Sequence, residues 1–216
     1  MKQNLILAVA FTMVLFSTPI AAQNNDAIKA VLTNNDMAIT WLGADFSHAT
    51  IEDFCGCEPA QFAQQIIPSI NEVVVKEASK YDFAKFLQKS DFISDITSVT
   101  KSNESIDPNA MVRTEATHKT LDKATIAKIV ASYDLTGKKG VGVVLIYESL
   151  SKRNLKAIMY LTYVQMPEGK IILSKQVEGK PGGFGVRNYW AATIYSFLKE
   201  YKGEYLRSWK SEYGIN

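Results

Sequence analysis

VGVVLIYES (141–149), KAIMYLTYV (156–164) and KIILSKQV (170–177) are three consecutive runs rich in β-branched and aromatic residues. Ser151-Lys152-Arg153-Asn154 joins the first pair and Met166-Pro167-Glu168-Gly169 the second, both of hairpin length and composition. The spacing predicts an antiparallel three-strand meander. Such a sheet needs a cover for its apolar face, and the next segment supplies one. From Asn188, read as an N-cap, to about Lys210, the residues Trp190, Ile194, Phe197, Leu198, Tyr201, Tyr205 and Trp209 share a stripe roughly 120° wide.

Upstream of the meander, Leu121 to Tyr133 carries Ile126, Ile129, Val130 and Tyr133 at i, i+3, i+4 and i+7, which predicts a helix ended by Gly137 and Gly140. Residues 91–113 read as a strand around Phe92, Ile96 and Val99 followed by a loop turning at Pro108. Pro59 marks a helix start, and Phe62, Ile66 and Ile70 continue it at four-residue spacing, with Pro68 predicting a kink or two abutting helices. A short amphipathic piece runs from Tyr81 to Leu87. Ala38 to Ile51 reads as the first strand, and residues 23–37, with two Asn-Asn pairs, as a polar leader outside the core. The expected fold is α+β: a mixed or antiparallel sheet ending in the meander, with helices packed on one face, in a single domain over residues 38–216.

Residues 1–22 have the layout of a secretory signal: Lys2, an apolar run from Leu5 to Phe16, then Ser17, Thr18 and Pro19 before Ala21 and Ala22. The run is too short for the ~20 residues of a membrane helix. Cleavage is expected after Ala22, giving an exported soluble protein of the periplasm or exterior, and no lipid-anchor cysteine lies near the site. The 24 Lys and Arg, less Lys2, against 22 Asp and Glu leave a formal net charge of +1. So even a balance excludes the long-range basic field that nucleic-acid binding calls for. No later stretch is apolar enough to span a bilayer.

Asp53-Phe54-Cys55-Gly56-Cys57 holds the only two cysteines. In an oxidising compartment Cys55 and Cys57 are a candidate disulfide, closing a small strained ring, or two ordinary thiols in a turn. The Cys-x-x-Cys spacing of a redox helix is absent. With His48, and with Asp45, Glu52, Asp53 or Glu58 as a fourth ligand, they are also a weakly patterned metal candidate. His118 sits in a polar stretch and reads as a solvated loop residue. Gly182, Gly183, Gly185 and Arg187 lie in a glycine-rich basic segment leading into the last helix, either a tight connection or an anion-binding loop. Tyr195, Leu206 and Tyr213, at the margin of the last helix's stripe, are candidates for a partner surface or for the rim of the core.

The element order, with Ala44-Asp45-Phe46 on the early strand, Ala127 to Asp134 ending a helix and Glu168-Gly169-Lys170-Ile171-Ile172-Leu173-Ser174 in a hairpin, resembles the small α+β domain of the curli-assembly lipoprotein family. It is equally similar to the amino-terminal domain of the Tol-system propeller protein, and to exported protein families of Gram-negative bacteria that carry no activity over. The chain departs from the first two in lacking the anchor cysteine, the membrane-inserting hairpins and the propeller. The resemblance implies an envelope-located binding or assembly module. No Gly-x-Ser-x-Gly, His-Glu-x-x-His or Walker pattern is present. The reading is therefore a non-enzymatic protein with no cofactor and a protein or small-molecule partner in the envelope. The alternatives are a carboxylate-dependent hydrolase or ligand-binding enzyme, and a redox or metal protein built on Cys55 and Cys57.

Overall fold

A computed structural model describes residues 20–114 and 120–215. Residues 1–19 of the expected signal segment therefore lie outside the described residues, as does His118, whereas the expected cleavage point after Ala22 falls within the first helix. The helices are α1 (Ile20–Thr33), α2 (Pro59–Gln61), α3 (Ile67–Lys76), α4 (Phe83–Leu87), α5 (Thr97–Glu104), α6 (Lys123–Ala131), α7 (Val186–Glu200) and α8 (Arg207–Glu212). The strands are β1 (Ala38–Asp45), β2 (Thr50–Ile51), β3 (Asp91–Ser94), β4 (Gly140–Ser151), β5 (Lys156–Met166) and β6 (Lys170–Gly179). They form one mixed sheet in the order β3-β1-β4-β5-β6, with β2 also paired to β4. The α+β class and the terminal antiparallel meander stand as read from the sequence, and β1 adds a parallel half through β3 and β4.

The placement of the helices differs from the expectation in one respect. Most of them cover one face, where Trp41, Leu145, Tyr147 and Tyr163 meet residues of α1, α3, α4, α7 and α8. The opposite face is covered as well. There Leu42, Val144, Ile146, Val164 and Met166 pack against Val99 of α5 and Ile126, Ile129, Val130 and Tyr133 of the α6 segment. A strand buried on both faces has no solvated side to alternate towards, which is why β4 reads as an unbroken apolar run.

Two stretches read from sequence as loop or leader are helices. In residues 23–37, Ile28, Val31 and Leu32 of α1 reach the core, so part of that segment belongs to the fold. Thr97–Glu104 is poor in helix formers, and tertiary contacts fix it: Val99 and Asn103 are buried. The helix starting at Pro59 runs on through a π-helical turn, Phe62–Ile66, into α3. That wide turn accommodates Pro68 without a break between two helices. A second π turn, Tyr201–Leu206, links α7 to α8. The extra residue rotates the helix beyond it and carries Leu206, marginal on an ideal helix, into the core at 5% exposure. Helix α7 starts earlier than predicted, with Gly185 at the N-cap, while Asn188 lies in the first turn and donates to the Phe184 carbonyl at 3.1 Å.

Between Trp41 and Gly43 the β1–β4 register slips by one residue. Gly43 has φ +122°, and a Cβ there would sit 3.0 Å from Val99 and 3.1 Å from Asn71 Oδ1. The missing side chain leaves room for Asn71 and Val99 against the strand, and two asparagines bond to the residues that follow. Asn71 Oδ1 accepts from the Ala44 N–H at 2.7 Å and Asn103 Oδ1 from the Phe46 N–H at 2.8 Å. Both amides donate to the Ala44 carbonyl at 2.9 Å. Asp45, also buried, accepts from the Ser47 N–H at 2.7 Å, the Tyr133 hydroxyl at 2.6 Å and the Ser102 hydroxyl at 3.1 Å. Burial and the Asp45 carboxylate push the Tyr133 phenol well up.

Two consequences are measurable. A Cβ at Gly179 would lie 2.1 Å from the Thr193 carbonyl oxygen, because α7 rests directly on the end of β6. Gly179→Ala is expected to cost about 3 kcal/mol, the upper end of ordinary overpacking, read as a lower urea midpoint at constant m. Gly142→Ala, which meets only the flexible ends of Leu42 and Met166, costs less. The second concerns Lys89, whose Nζ donates to the Val31 and Asn34 carbonyls at 2.7 and 2.9 Å and closes the end of α1. Burial, with Lys210 nearby, lowers its pKa to about 8; a neutral amine still has two N–H groups for the two carbonyls. The unfolded chain keeps that proton up to about 10.5. Stability therefore gains from this residue as pH rises from about 8 towards that value, and Lys89→Met removes that gain in urea titrations across the window.

Candidate binding surface

Three segments remote in sequence leave the sheet at the same end. Residues 52–58 come after β2, which pairs with Ser149 and Leu150 of β4, and the Glu52 N–H donates to the Leu150 carbonyl at 3.1 Å. The β4–β5 hairpin turns over Ser151 to Lys156. Gly179 pairs with Ala157, so the glycine-rich segment 180–185 emerges beside that hairpin. The structure thus brings the two-cysteine loop and the Gly182–Arg187 segment together at the first turn of α7.

The cysteine loop is a tight turn. Cys55 and Gly56 both have positive φ, 57° and 84°, and the Cys57 N–H donates to the Phe54 carbonyl at 3.1 Å. The Cys55 N–H donates to Asp53 Oδ1 at 2.7 Å, and Phe54 anchors the turn edge-on against Phe62 at 5.6 Å. Both thiols are half-buried and unbonded to one another. Burial pushes the Cys55 thiol up, against the downward pulls of the Lys152 ammonium and the Trp190 indole. Trp190 Nε1 makes no hydrogen bond of sound geometry, so it acts on the sulfur as a nearby dipole. Tyr189 lies close enough to Cys55, Lys152 and Asp53 for their charges to bear on its phenol.

Salt bridges tie the loops together: Lys152 to Asp53 at 3.4 Å, Arg153 to Glu52 at 3.2 Å and Lys156 to Glu178 at 2.9 Å. Ser151 Oγ also donates to Glu52. The glycine-rich segment is partly self-satisfied, since the Gly182 N–H donates to the Tyr189 carbonyl at 3.0 Å and Arg187 Nε to Asn188 Oδ1 at 3.0 Å. Gly183 and Gly185 take positive φ. Among the described residues, Lys180 and Arg187 make no salt bridge.

Phe184, between Gly183 and Gly185, is 95% exposed, and Leu155 on the neighbouring hairpin is 61% exposed. The sequence carries no signal for this, because a lone Phe reads as core. The residues proposed from sequence as a partner surface lie elsewhere. Leu206 is core; Tyr195 stands edge-on to Tyr81 and Phe86, and Lys175 covers the Tyr213 ring. Contacts within the chain occupy all three. His48 bonds to Ser47 Oγ at 3.0 Å, and among the described residues no three His, Cys, Asp or Glu side chains gather as a metal site requires. No helix among the described residues is long and apolar enough to cross a membrane.

No protein-family model and no curated protein matches the chain. Among solved structures, the C-terminal domain of LpoB from Salmonella enterica aligns over 73% of this chain and 98% of its own, at 10% identity and a TM-score of 0.28. That likeness is too loose to carry fold or function across.

The position of Cys55 is open to a direct check. In a Cys57→Ser variant at pH 8, Cys55 is expected to react with iodoacetamide several-fold more slowly in the native protein than in urea, as read by mass spectrometry. Equal rates would show a sulfur free of its surroundings.

Proposed function

We propose that the chain is an exported, non-enzymatic binding module of the cell envelope whose protein partner docks on the end of the sheet formed by residues 52–58, 151–155 and 180–187. The observation that carries this reading is the phenylalanine at position 184, held in water on a glycine-flanked loop beside a second exposed apolar side chain, Leu155. Single exposed apolar residues are ordinary; two at one end, next to half-buried Tyr189 and Cys55 and the cations Lys180 and Arg187, have the makeup of an interface anchor with a polar rim. The signal-like first 22 residues support export.

The buried charged side chains support a binding role over a catalytic one. Asp45 holds the chain after β1, Lys89 closes α1, and Glu148 accepts from the Leu121 N–H at 2.9 Å and the Tyr160 hydroxyl at 3.3 Å. Each serves the scaffold.

A photocrosslinking amino acid at position 184 or 155, in cells making the full chain, is expected to give a discrete adduct in the envelope fraction. The same group at Lys128, exposed on α6, gives none. Identical patterns at all three positions would sink the proposal. Phe184→Ser should abolish the adduct formed from position 155 while changing stability by less than ~0.5 kcal/mol, since the ring touches little of its own chain.

A further inference from the structure

Among the described residues, β6 pairs with β5 on one side and with no strand on the other. A cavity of about 730 Å³ runs beside residues 171–175 of that strand. On one flank it meets Ile28 of α1 and Glu212 of α8, helices of the larger layer. On the other it meets Leu121 and Ile126 of the α6 segment, which cover the opposite face of the sheet. A space bounded by both layers, alongside the length of one strand, can lie only past that strand's edge. The helices therefore overhang β6, and the slot between them stands where a further strand of the sheet would lie.

The backbone beside the slot is unpaired. In an antiparallel ladder the N–H and C=O of one residue point to the same side, and that side alternates along the strand. From Ser174 to Glu178 the register with β5 is regular, and the Glu178 N–H donates away from β5, to the Tyr205 hydroxyl at 3.0 Å. The N–H and C=O of Ser174 and Gln176 face outward by the same alternation, and among the described residues they make no hydrogen bond. Two features bound this open stretch. Tyr205 occupies the donor at Glu178, and Ile172, bulged between the pairs Ile171–Val164 and Leu173–Tyr163, has no partner in the register.

The slot selects its occupant. Donors and acceptors repeat at every second residue along a straight edge, the pattern that an extended peptide backbone matches. The walls beside it are apolar on both sides, Ile28 and Leu173 on one and Leu121, Ile126 and Ile171 on the other. The charges at its margin cancel, since Lys175 is paired with Glu212 and Asp122 stands next to Lys123. A second copy of the chain fits poorly. Its own β6 is recessed between its helices in the same way, and pairing Ser174 with Gln176 across a two-fold axis sets the two Lys175 side chains directly opposite each other.

We propose that β6 accepts an extended, uncharged peptide segment of another protein as an added strand, its backbone bonded to Ser174 and Gln176 and its apolar side chains set alternately against the two walls. This site is separate from the end of the sheet that bears Phe184 and does not depend on it.

The test is amide hydrogen exchange resolved by NMR. In the protein alone, the Ser174 and Gln176 amides are expected to exchange fast, and those of Lys175 and Val177, bonded to β5, slowly. The blocked peptide acetyl-Thr-Val-Leu-Val-Thr-amide is expected to slow both outward amides about tenfold or more, saturably, as they enter a ladder. The same peptide N-methylated at every residue has no N–H to donate and is expected to leave them fast. Gln176→Pro removes one outward N–H and spares the bonds to β5, a place where edge strands tolerate proline, and is expected to weaken binding of the unmodified peptide about tenfold. The N-methylated comparison decides the matter even where that variant fails to fold. Absence of saturation into the millimolar range, equal binding of the N-methylated peptide, or unchanged affinity in a folded Gln176→Pro variant would each overturn the proposal. So would protection of Ser174 and Gln176 that grows with protein concentration alone, which makes the occupant a second copy.

Discussion

The carbonyl of Ala44 is the point on which the two layers of helices are tied to the sheet. Strand β1 pairs in parallel with β3 on one side and β4 on the other, and it loses its regular register at Gly43. A buried strand that breaks register leaves backbone groups without ladder partners, at a cost of about 1–3 kcal/mol each if unmet. Here asparagines from α3 and α5 supply the missing bonds. The next residue, Asp45, gathers Tyr133 from beyond α6 and Ser102 from α5. Helices from both faces are thereby fixed to one short backbone run, and truncating either asparagine leaves buried groups unpaired.

How legible each element is in the sequence depends on how locally it is determined. The meander and α7 are visible because their patterns are set by neighbours within a few residues: three β-rich runs with turn chemistry between them, and an aromatic stripe at helical spacing. Helix α5 is not visible, since Thr97-Ser98-Val99-Thr100 has poor propensity and the segment is helical only because Val99 and Asn103 find partners across the fold. Helix α1 hides behind two Asn-Asn pairs, although Ile28, Val31 and Leu32 form a minimal i, i+3, i+4 face. The π turns leave no mark in composition, yet the second of them decides that Leu206 is core.

The same distinction applies to the surface. Cys55 and Cys57 and the glycine-rich segment stand out in the sequence as separate oddities. Their meeting depends on the register that sets Ala157 beside Gly179 and Ser149 beside Thr50, a long-range fact. Phe184 is anonymous in the sequence for the opposite reason: its type is ordinary, and only its exposure is unusual. The salt bridges around it are largely solvated and contribute little to stability, so this end of the molecule tolerates rearrangement that the Ala44 region does not.

The contact at Gly179 has a mechanical implication. Six residues separate it from the start of α7 at Val186, and the helix backbone at Thr193 lies against it with no side chain as cushion. The loop bearing Phe184 is therefore strung between two points of one rigid joint, and force applied at its tip is delivered to the seam between β6 and α7 instead of being absorbed by slack chain.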